Sequence, residues 1–326
     1  MHLGDFRTVF DPLFLSHLDK SIARACTVTS SKKTHAIVGH IRRVAENGKR
    51  IRPYIAYLAY GSSKLDRQII NQLIAIELVH LMAIIHDDII DKSPSRHGTR
   101  TLHSLEKDQH YGNSYALLAG DLVLNWAHEA FIKQNKEAES HSIFCKLVEQ
   151  VAIGEMMDVE MSTRTNWTKT EIDEKTILKS ARYTFTHPAE IGLSLRRVKV
   201  SKKLQKTYST LNENMGVLFQ IDDDLLDIFG DEKKLNKKTF QDIETRQATL
   251  VSFYLIKNKA FKKYFGKVLN QTERDTLRSL VTTSGTLEKI NSERDMLIAD
   301  TQKLLRKIPD AETWHALLLK ITKRDR

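Results

Sequence analysis

Three aspartates at the end of an apolar stretch are the residues best suited to chemistry in this chain of 326 residues. Asp87, Asp88 and Asp91 form a DDxxD pattern within a run of isoleucines. On a helix, Asp87 and Asp91 project from one face because they are four residues apart. Carboxylates at the end of a buried helix are unfavourable unless a cation lies among them. The pattern predicts a metal site, and a solvated acidic turn is the alternative.

A second acidic cluster repeats this design later in the chain. Asp222, Asp223, Asp224 and Asp227 follow the apolar run NMGVLFQI, and Asp223 and Asp227 again have the i, i+4 spacing. Mg²⁺ prefers carboxylates together with substrate phosphates. Two such clusters, each at the end of an apolar helix, are therefore expected to share a group of Mg²⁺ ions.

A cationic segment, GKRIRP, begins at Gly48. Lys49 and Arg52 are three residues apart and share a face once the next helix begins. Cations that converge at a helix N-terminus suit a diphosphate, because the N–H groups and the helix dipole add to their charge. An ordinary basic loop is the alternative. His80 is aligned with the first aspartates and is either part of the site or a core histidine.

Composition narrows the class of protein. With 41% hydrophobic residues, only 5 Pro and 13 Gly, the chain favours a large helical core over an all-β fold. Cys26 and Cys145 lack CxxC spacing, which indicates a reducing, cytoplasmic location. No signal-peptide core and no membrane span are expected. The net charge of +10 is dispersed, which suits anionic substrates and argues against nucleic-acid binding.

Apolar positions recur with helical period through almost the whole chain. The main predicted helices cover 9–25, 35–46, 65–91, 111–134, 140–163, 201–229, 239–257, 272–282, 286–305 and 310–323. Thr168 and Glu171 form a capping box for another helix. That helix carries Lys179 and is disturbed before Pro188, so Lys179 either points into a cavity or is solvated. Repeats and linkers are lacking, which predicts one domain, 1–326.

Five motifs occur in an order that resembles a known family. They are GKRIRP, ELVHLMAIIHDDIID with SRHGTRTLH, AGDLVLNWA, KSARYTFTHPAEIG and FQIDDDLLDIFGD. The chain is similar to the all-trans isoprenyl diphosphate synthases of the polyprenyl synthetase family, and within them to the farnesyl and geranylgeranyl type. The resemblance implies an all-α bundle, a barrel of helices around a central cavity, and usually a homodimer. It also implies a Mg²⁺-dependent enzyme that joins isopentenyl diphosphate to an allylic diphosphate.

The resemblance assigns roles to individual residues. Mg²⁺ binding falls to Asp87 and Asp91, supported by Asp88, and to Asp223, with Asp224 and Asp227. The isopentenyl diphosphate site comprises Gly48, Lys49, Arg52, His80 and His97, the last at a position where the family usually has an arginine. The positions that contact the allylic diphosphate are Arg96, Lys179, Ser180, Gln220 and Lys237.

Three positions depart from the family pattern. His97 replaces an arginine that grips isopentenyl diphosphate, and Glu155 replaces a glutamine after Gly154. Gln247 replaces a lysine, with Arg246 beside it as a candidate substitute. These departures are compatible with a slower or specialised enzyme, because both aspartate motifs remain intact.

The resemblance implies that the residues one turn before Asp87 set the length of the product. Met82 is flexible and Ala83 is small, so the cavity floor is expected to be deep and the product to have about twenty carbons or more. A farnesyl or longer product, or a weakly active subunit of a heteromeric synthase, is the alternative. Squalene/phytoene-type synthases and terpene cyclases also use acidic helices, but neither requires GKRIRP and a cyclase lacks the second aspartate motif.

Overall fold

The computed structural model of the chain is mostly helical. It describes residues 1–62, 64–96, 98–133, 138–232 and 238–322. Helices make up 77% of the structure. Within the described ranges the only strands are β1 (Ser95–Arg96) and β2 (Thr99–Arg100), which pair as an antiparallel hairpin. The predicted all-α class is confirmed.

The helices follow the predicted order. The first are α1 (Leu3–Cys26), α2 (Lys32–Ala45), α3 (Ile51–Tyr60), α4 (Arg67–Ile90) and α5 (Gln109–Ile132). The next are α6 (Ala138–Ser162), α7 (Lys169–Thr176), a π-helix (Ile177–Thr186), α8 (His187–Ser194) and α9 (Lys202–Phe229). The last are α10 (Gln241–Glu244), α11 (Leu250–Leu255), α12 (Lys259–Tyr264), α13 (Gln271–Thr283), α14 (Thr286–Leu305) and α15 (Ala311–Thr322).

Polar side chains cap the helices that carry the two aspartate motifs. The Asp66 carboxylate accepts the Gln68 N–H at 3.0 Å at the start of α4. Ser201 Oγ accepts the Leu204 N–H at 3.3 Å at the start of α9. Each cap satisfies an N–H group that lacks a partner inside its helix. The Thr168 capping box is present at α7, as predicted.

One predicted helix, 239–257, is wrong. The structure has two short helices there, α10 and α11, separated by a turn. Phe240 and Arg246 have φ of 62° and 64°, a left-handed conformation that does not continue a right-handed helix. Apolar periodicity does not reveal such breaks, because the side chains on both sides of the turn remain buried.

The contacts divide the chain into two compact units. The first comprises Met1–Ser142 with Ile191–Arg197. In it α4 packs closely on α5, since a Cβ at Gly120 would lie 2.0 Å from His86 Nε2. This is the close approach that a glycine inside α5 predicts. By length and composition α4 is apolar enough to cross a membrane, but 67% of its most apolar window is buried within the protein.

The second unit comprises Ile143–Glu190 with Val198–Arg326. The predicted disturbance before Pro188 is the π-helix, which packs against α9. A Cβ at Gly216 of α9 would lie 2.4 Å from Ala181 Cα. Because the wide winding of a π-helix shifts the residues that follow, it changes the direction of side chains within the segment. A single domain covering 1–326 stays a prediction.

Candidate active site

The first aspartate motif occupies the last turn of α4. Asp87 is partly exposed, Asp88 is buried, and Asp91 is the exposed residue that ends the helix. The Asp91 N–H donates to the Asp87 carbonyl at 2.8 Å. The carbonyl end of a helix carries partial negative charge. The carboxyl groups of Asp87, Asp88 and Asp91 add negative charge at the same end, so this end of α4 attracts a cation strongly.

Arg96, from β1, reaches back to the first motif. Its Nε donates to Asp88 at 2.9 Å and its Nη2 to Asp87 at 3.0 Å. Burial raises the pKa of Asp88 to about 6, although Arg96 acts in the opposite direction. The hairpin thus places a cation beside the carboxylates that are predicted to bind metal. His97, the next residue, lies outside the described residues.

The cationic segment between α2 and α3 presents Lys49 and Arg52 on either side of a buried arginine. Lys49 is exposed, and Arg52 is partly buried in the first turn of α3. Arg50, between them, is 2% exposed and has a φ of 56°. This left-handed residue turns the chain sharply between the two cations. Both predicted ligands thus stand at the N-terminus of α3, as expected.

Arg50 belongs to a buried network that the sequence analysis missed. Its guanidinium donates to Asp11 at 2.7 Å, to Glu77 at 2.8 Å and to the Ala45 carbonyl at 2.7 Å. A Cβ on Gly48 would lie 2.1 Å from Arg50 Nη1. Gly48 is therefore needed to make room for the guanidinium. The signal was Glu77, a carboxylate in the apolar part of α4 that required a buried cation.

His80 is an imidazole held neutral by its surroundings. Burial lowers its pKa well below the ordinary value, and the charges of Arg52, Arg96 and Arg50 lower it further. A neutral imidazole donates one hydrogen bond and accepts one. His80 can therefore contribute an N–H to an anion without adding a full charge.

The residues predicted to set product length lie on the same helix. Met82 is 8% exposed, and Ala83 is partly exposed. A buried methionine beside a small residue is easily displaced or repacked. Their role in product length stays a prediction.

The second aspartate motif distributes its carboxylates among different partners. Asp222 binds Arg294 at 2.7 Å. Asp227 is buried and accepts the backbone N–H groups of Gln241 and Asp242, each at 3.1 Å. Asp227 therefore caps α10, in addition to its predicted role at the metal. Asp223 is partly exposed on the same face of α9.

Asp224 is the buried member of this motif. Burial raises its pKa to about 8, and the neighbouring charge of Asp242 adds to that shift. Its carboxyl group accepts a hydrogen bond from Gln220 Nε2 at 2.7 Å, and Gln220 Oε1 accepts one from Ser180 at 2.6 Å. The predicted ligands Ser180 and Gln220 thus form one chain of hydrogen bonds that ends at the motif.

Lys179 lies on the π-helix and points to two carboxylates of α6. Its Nζ is 2.9 Å from Glu155 and 2.5 Å from Asp158. Lys175, one turn earlier, binds Asp158 at 2.9 Å. Burial alone would raise the pKa of Asp158, but the two lysines outweigh it and hold the pKa below the ordinary value. Lys179 is therefore in an ion-pair cluster rather than solvated.

Gln247 joins the same cluster. With its amide nitrogen turned toward Asp158, it donates to both carboxylate oxygens at 2.9 Å. Arg246, the candidate substitute for the family lysine, makes different contacts. Its Nε donates to the Ser162 carbonyl at 3.1 Å, and its guanidinium lies 5.4 Å from the centre of the Phe265 ring. Its role as a substitute for the lysine stays a prediction.

The donor set fits Mg²⁺ at each aspartate motif. Among the described residues, no group of three or more His, Cys, Asp or Glu forms a closed metal site. Mg²⁺ does not require one, because it usually takes one or two carboxylates and completes its shell with water and phosphate oxygens. Burial is the main cause of the raised pKa of Asp88 and of Asp224, and a bound cation would favour the ionised form of both carboxyl groups. Lys237 lies outside the described residues.

The chain is similar in sequence to known proteins over most of its length. The Polyprenyl synthetase family profile matches residues 35–283. A short chain isoprenyl diphosphate synthase of Methanocaldococcus jannaschii is 30% identical over 253 residues, covering 76% of this chain and 73% of that protein. A geranylgeranyl diphosphate synthase of Methanosarcina mazei is 28% identical over 287 residues, covering 85% and 84%.

Solved structures share the fold. A geranylgeranyl pyrophosphate synthase from Corynebacterium glutamicum, complexed with isoprenyl diphosphate and magnesium, superposes with a TM-score of 0.86 at 24% identity. The superposition covers 97% of this chain and 99% of that one.

Proposed function

Because the chain belongs to the polyprenyl synthetase family, we propose that it joins isopentenyl diphosphate head to tail to an allylic diphosphate. The chain is a prenyltransferase of the all-trans isoprenyl diphosphate synthase type. Two aspartate motifs, each at the end of an apolar helix, are the observation that supports this reaction most strongly. Carboxylates in this arrangement suit metal ions that bind a diphosphate.

Lys49, Arg52 and His80 are the proposed ligands of isopentenyl diphosphate. Two cations at the N-terminus of α3 supply charge, and the helix end supplies N–H groups. His80 adds a neutral donor that stays uncharged near pH 7, because its pKa lies well below the ordinary value. The buried ion pair between Arg50 and Glu77 stabilises the conformation of this segment.

The allylic diphosphate is proposed to bind the other set of ligands. Lys179, Arg96 and the hydrogen-bonded pair Ser180 and Gln220 contribute donors, and Asp87, Asp91 and Asp223 hold Mg²⁺. Bound Mg²⁺ supplies Lewis-acid charge that stabilises the departing diphosphate. Lys179 and Arg96 offset part of the negative charge that develops on the same group.

The proposed reaction forms one carbon–carbon bond. The allylic C–O bond breaks, and the electron pair leaves with the diphosphate. The double bond of isopentenyl diphosphate attacks the allylic cation, and a proton is then lost to the released diphosphate. Apolar surroundings are required, since water would otherwise trap the cation. We assign no side chain as the base.

The proposed product has about twenty carbons, because Met82 is flexible and Ala83 is small, whereas a bulky aromatic residue at these positions would stop the chain sooner. We also propose a homodimer. Tyr111, Leu117 and Leu118 of α5 are 57%, 51% and 63% exposed, and an apolar face of this kind suits a second copy. A monomeric mass in sedimentation analysis would contradict the homodimer.

The proposed cytoplasmic location is supported by two free cysteines, Cys26 and Cys145.

The proposed chemistry is tested by removing one charge from each motif. Asp87→Asn and Asp223→Asn keep the shape of the side chain and remove a metal ligand. Each is expected to lower kcat about a hundredfold or more, the scale seen when an electrostatic catalytic group is lost. Asp275→Asn is the control, because Asp275 is an exposed partner of Arg278. Full activity in either motif variant would contradict the proposal.

A further inference from the structure

Lys179 is shared by two carboxylates that differ in burial. Glu155 Oε1 and Oε2 lie 3.1 Å and 2.9 Å from its ammonium, and Asp158 Oδ2 lies at 2.5 Å. The Glu155 side chain is 22% exposed, whereas that of Asp158 is 5% exposed. Both carboxylates belong to α6 and lie three residues apart, on one face of the helix.

Asp158 alone has the contacts needed to anchor Lys179. It is also bound by Lys175 at 2.9 Å and by the turned amide of Gln247 at 2.9 Å. The backbone is positioned independently, because a Cβ at Gly154 would lie 2.6 Å from the Lys179 nitrogen. Close packing and Asp158 therefore place Lys179 without help from Glu155.

Glu155 changes the charge of the cluster. Among these four side chains, Glu155 supplies one of the two negative charges that face Lys175 and Lys179. We propose that Glu155 lowers the affinity of Lys179 for the allylic diphosphate. This inference rests on the function proposed above, which makes Lys179 a diphosphate ligand.

Two physical effects act in the same direction. An ammonium has three N–H donors, and Glu155 competes with the incoming diphosphate for them. The carboxylate also repels the negatively charged substrate at short range. Removing its charge should increase the attraction of Lys179 for any diphosphate, most strongly at low ionic strength.

Glu155→Gln is the direct test, since the amide keeps the shape of the side chain and an oxygen that can accept from Lys179. We expect the KM for the allylic diphosphate to fall about fivefold, the scale of a partly exposed charge pair. The KM for isopentenyl diphosphate should not change. Glu160→Gln is the matched control, because Glu160 lies on the same helix and binds Arg164 at the surface.

Asp158→Asn separates anchoring from charge adjustment. This variant removes the negative charge that Asp158 places beside the Lys179 ammonium, and it also removes the carboxylate that binds the buried Lys175. We therefore expect a higher KM for the allylic diphosphate and a lower Tm. A fall in KM in both variants would show that only total charge matters, and would overturn the division of roles.

Binding of inorganic diphosphate with Mg²⁺, measured by calorimetry, gives a readout that does not depend on turnover. Tighter binding by Glu155→Gln than by the wild type supports the proposal, and equal or weaker binding overturns it. A wild-type chain that forms no prenyl product would instead refute the proposed function. The two failures are therefore distinguishable.

Discussion

At the residue scale, the charge state of His80 is the most informative feature of the proposed isopentenyl diphosphate site. Burial and three arginines hold the pKa of His80 well below its ordinary value. In the unfolded chain an imidazole has a pKa of about 6.5. As the pH falls below that value, the unfolded chain binds a proton that folded His80 does not, so the folded state loses stability.

His80→Asn should remove this pH dependence. From pH 7 to pH 5 we expect the variant to lose less unfolding free energy than the wild type, by up to about 2 kcal/mol. Urea denaturation at the two pH values measures the difference. His110→Asn is the control, since His110 is exposed. Equal losses in His80→Asn and in the wild type would contradict a neutral His80.

The buried network around Arg50 gives a second prediction at this scale. Glu77→Gln leaves the buried Arg50 with Asp11 as its one carboxylate partner in the network, and removal of one member of a buried ion pair typically costs about 3 kcal/mol. Because Arg50 shapes the turn between Lys49 and Arg52, the KM for isopentenyl diphosphate should rise more than kcat falls.

Steady-state kinetics and urea denaturation together measure these effects. Glu46→Gln is the control, because Glu46 pairs with Arg42 at the surface. An unchanged KM for isopentenyl diphosphate in a folded Glu77→Gln variant would show that the network serves stability alone.

Residue types and spacing predicted the positions of Asp87, Asp91 and Asp223 toward the ends of apolar helices, and of the GKRIRP cations at a helix N-terminus. Their roles as ligands stay predictions. The role of Arg50 could not be predicted in the same way. Its partners Asp11 and Glu77 are distant in sequence, and its left-handed backbone follows from tertiary contacts rather than from local propensity. Lys179 is a similar case, because its direction depends on the winding of the π-helix.

At the element scale, α4 carries both the proposed metal ligands and the residues proposed to control product length. Met82→Phe introduces a rigid ring at a buried position one turn before Asp87. If this position lies beneath the growing chain, the product should shorten from twenty carbons toward fifteen. Product analysis by mass spectrometry is the measurement. Val28→Phe is the control, since Val28 is 84% exposed, and an unaltered product in Met82→Phe would contradict the assignment.

The contact between α9 and the π-helix should tolerate no added atom. Gly216→Ala would bring a Cβ to within 2.4 Å of Ala181 Cα, and overpacking of this kind costs about 1–3 kcal/mol. Gly39→Ala in α2 is the matched control, because nothing lies within 4 Å of its Cβ. There the helix should gain up to about 1 kcal/mol. Equal effects on Tm would contradict the packing.

Periodicity predicted most helices within a few residues, because their buried faces repeat with the helical period. It failed where side chains interrupt the backbone pattern. Asp227 draws the N–H groups of Gln241 and Asp242 to its carboxylate, which begins α10 where a longer helix had been expected. Local sequence does not reveal a helix start that depends on a carboxylate from another helix.

At the scale of the whole molecule, the order of the motifs was more informative than any single motif. The predicted family and the all-α class are confirmed. Two of the departures from the family pattern, Glu155 and Gln247, belong to one ion-pair cluster: Glu155 contacts Lys179, which binds Asp158, and the amide of Gln247 contacts Asp158. The predicted single domain and the sharing of metal ions by the two motifs stay predictions.

Product formation by the purified chain alone tests the central claim most directly. With labelled isopentenyl diphosphate, an allylic diphosphate and Mg²⁺, we expect a labelled all-trans diphosphate of about twenty carbons, formed only when both substrates are present. Chelation of the metal should abolish it. Formation of product only after a second protein is added, or consumption of the allylic diphosphate without isopentenyl diphosphate, would contradict the account.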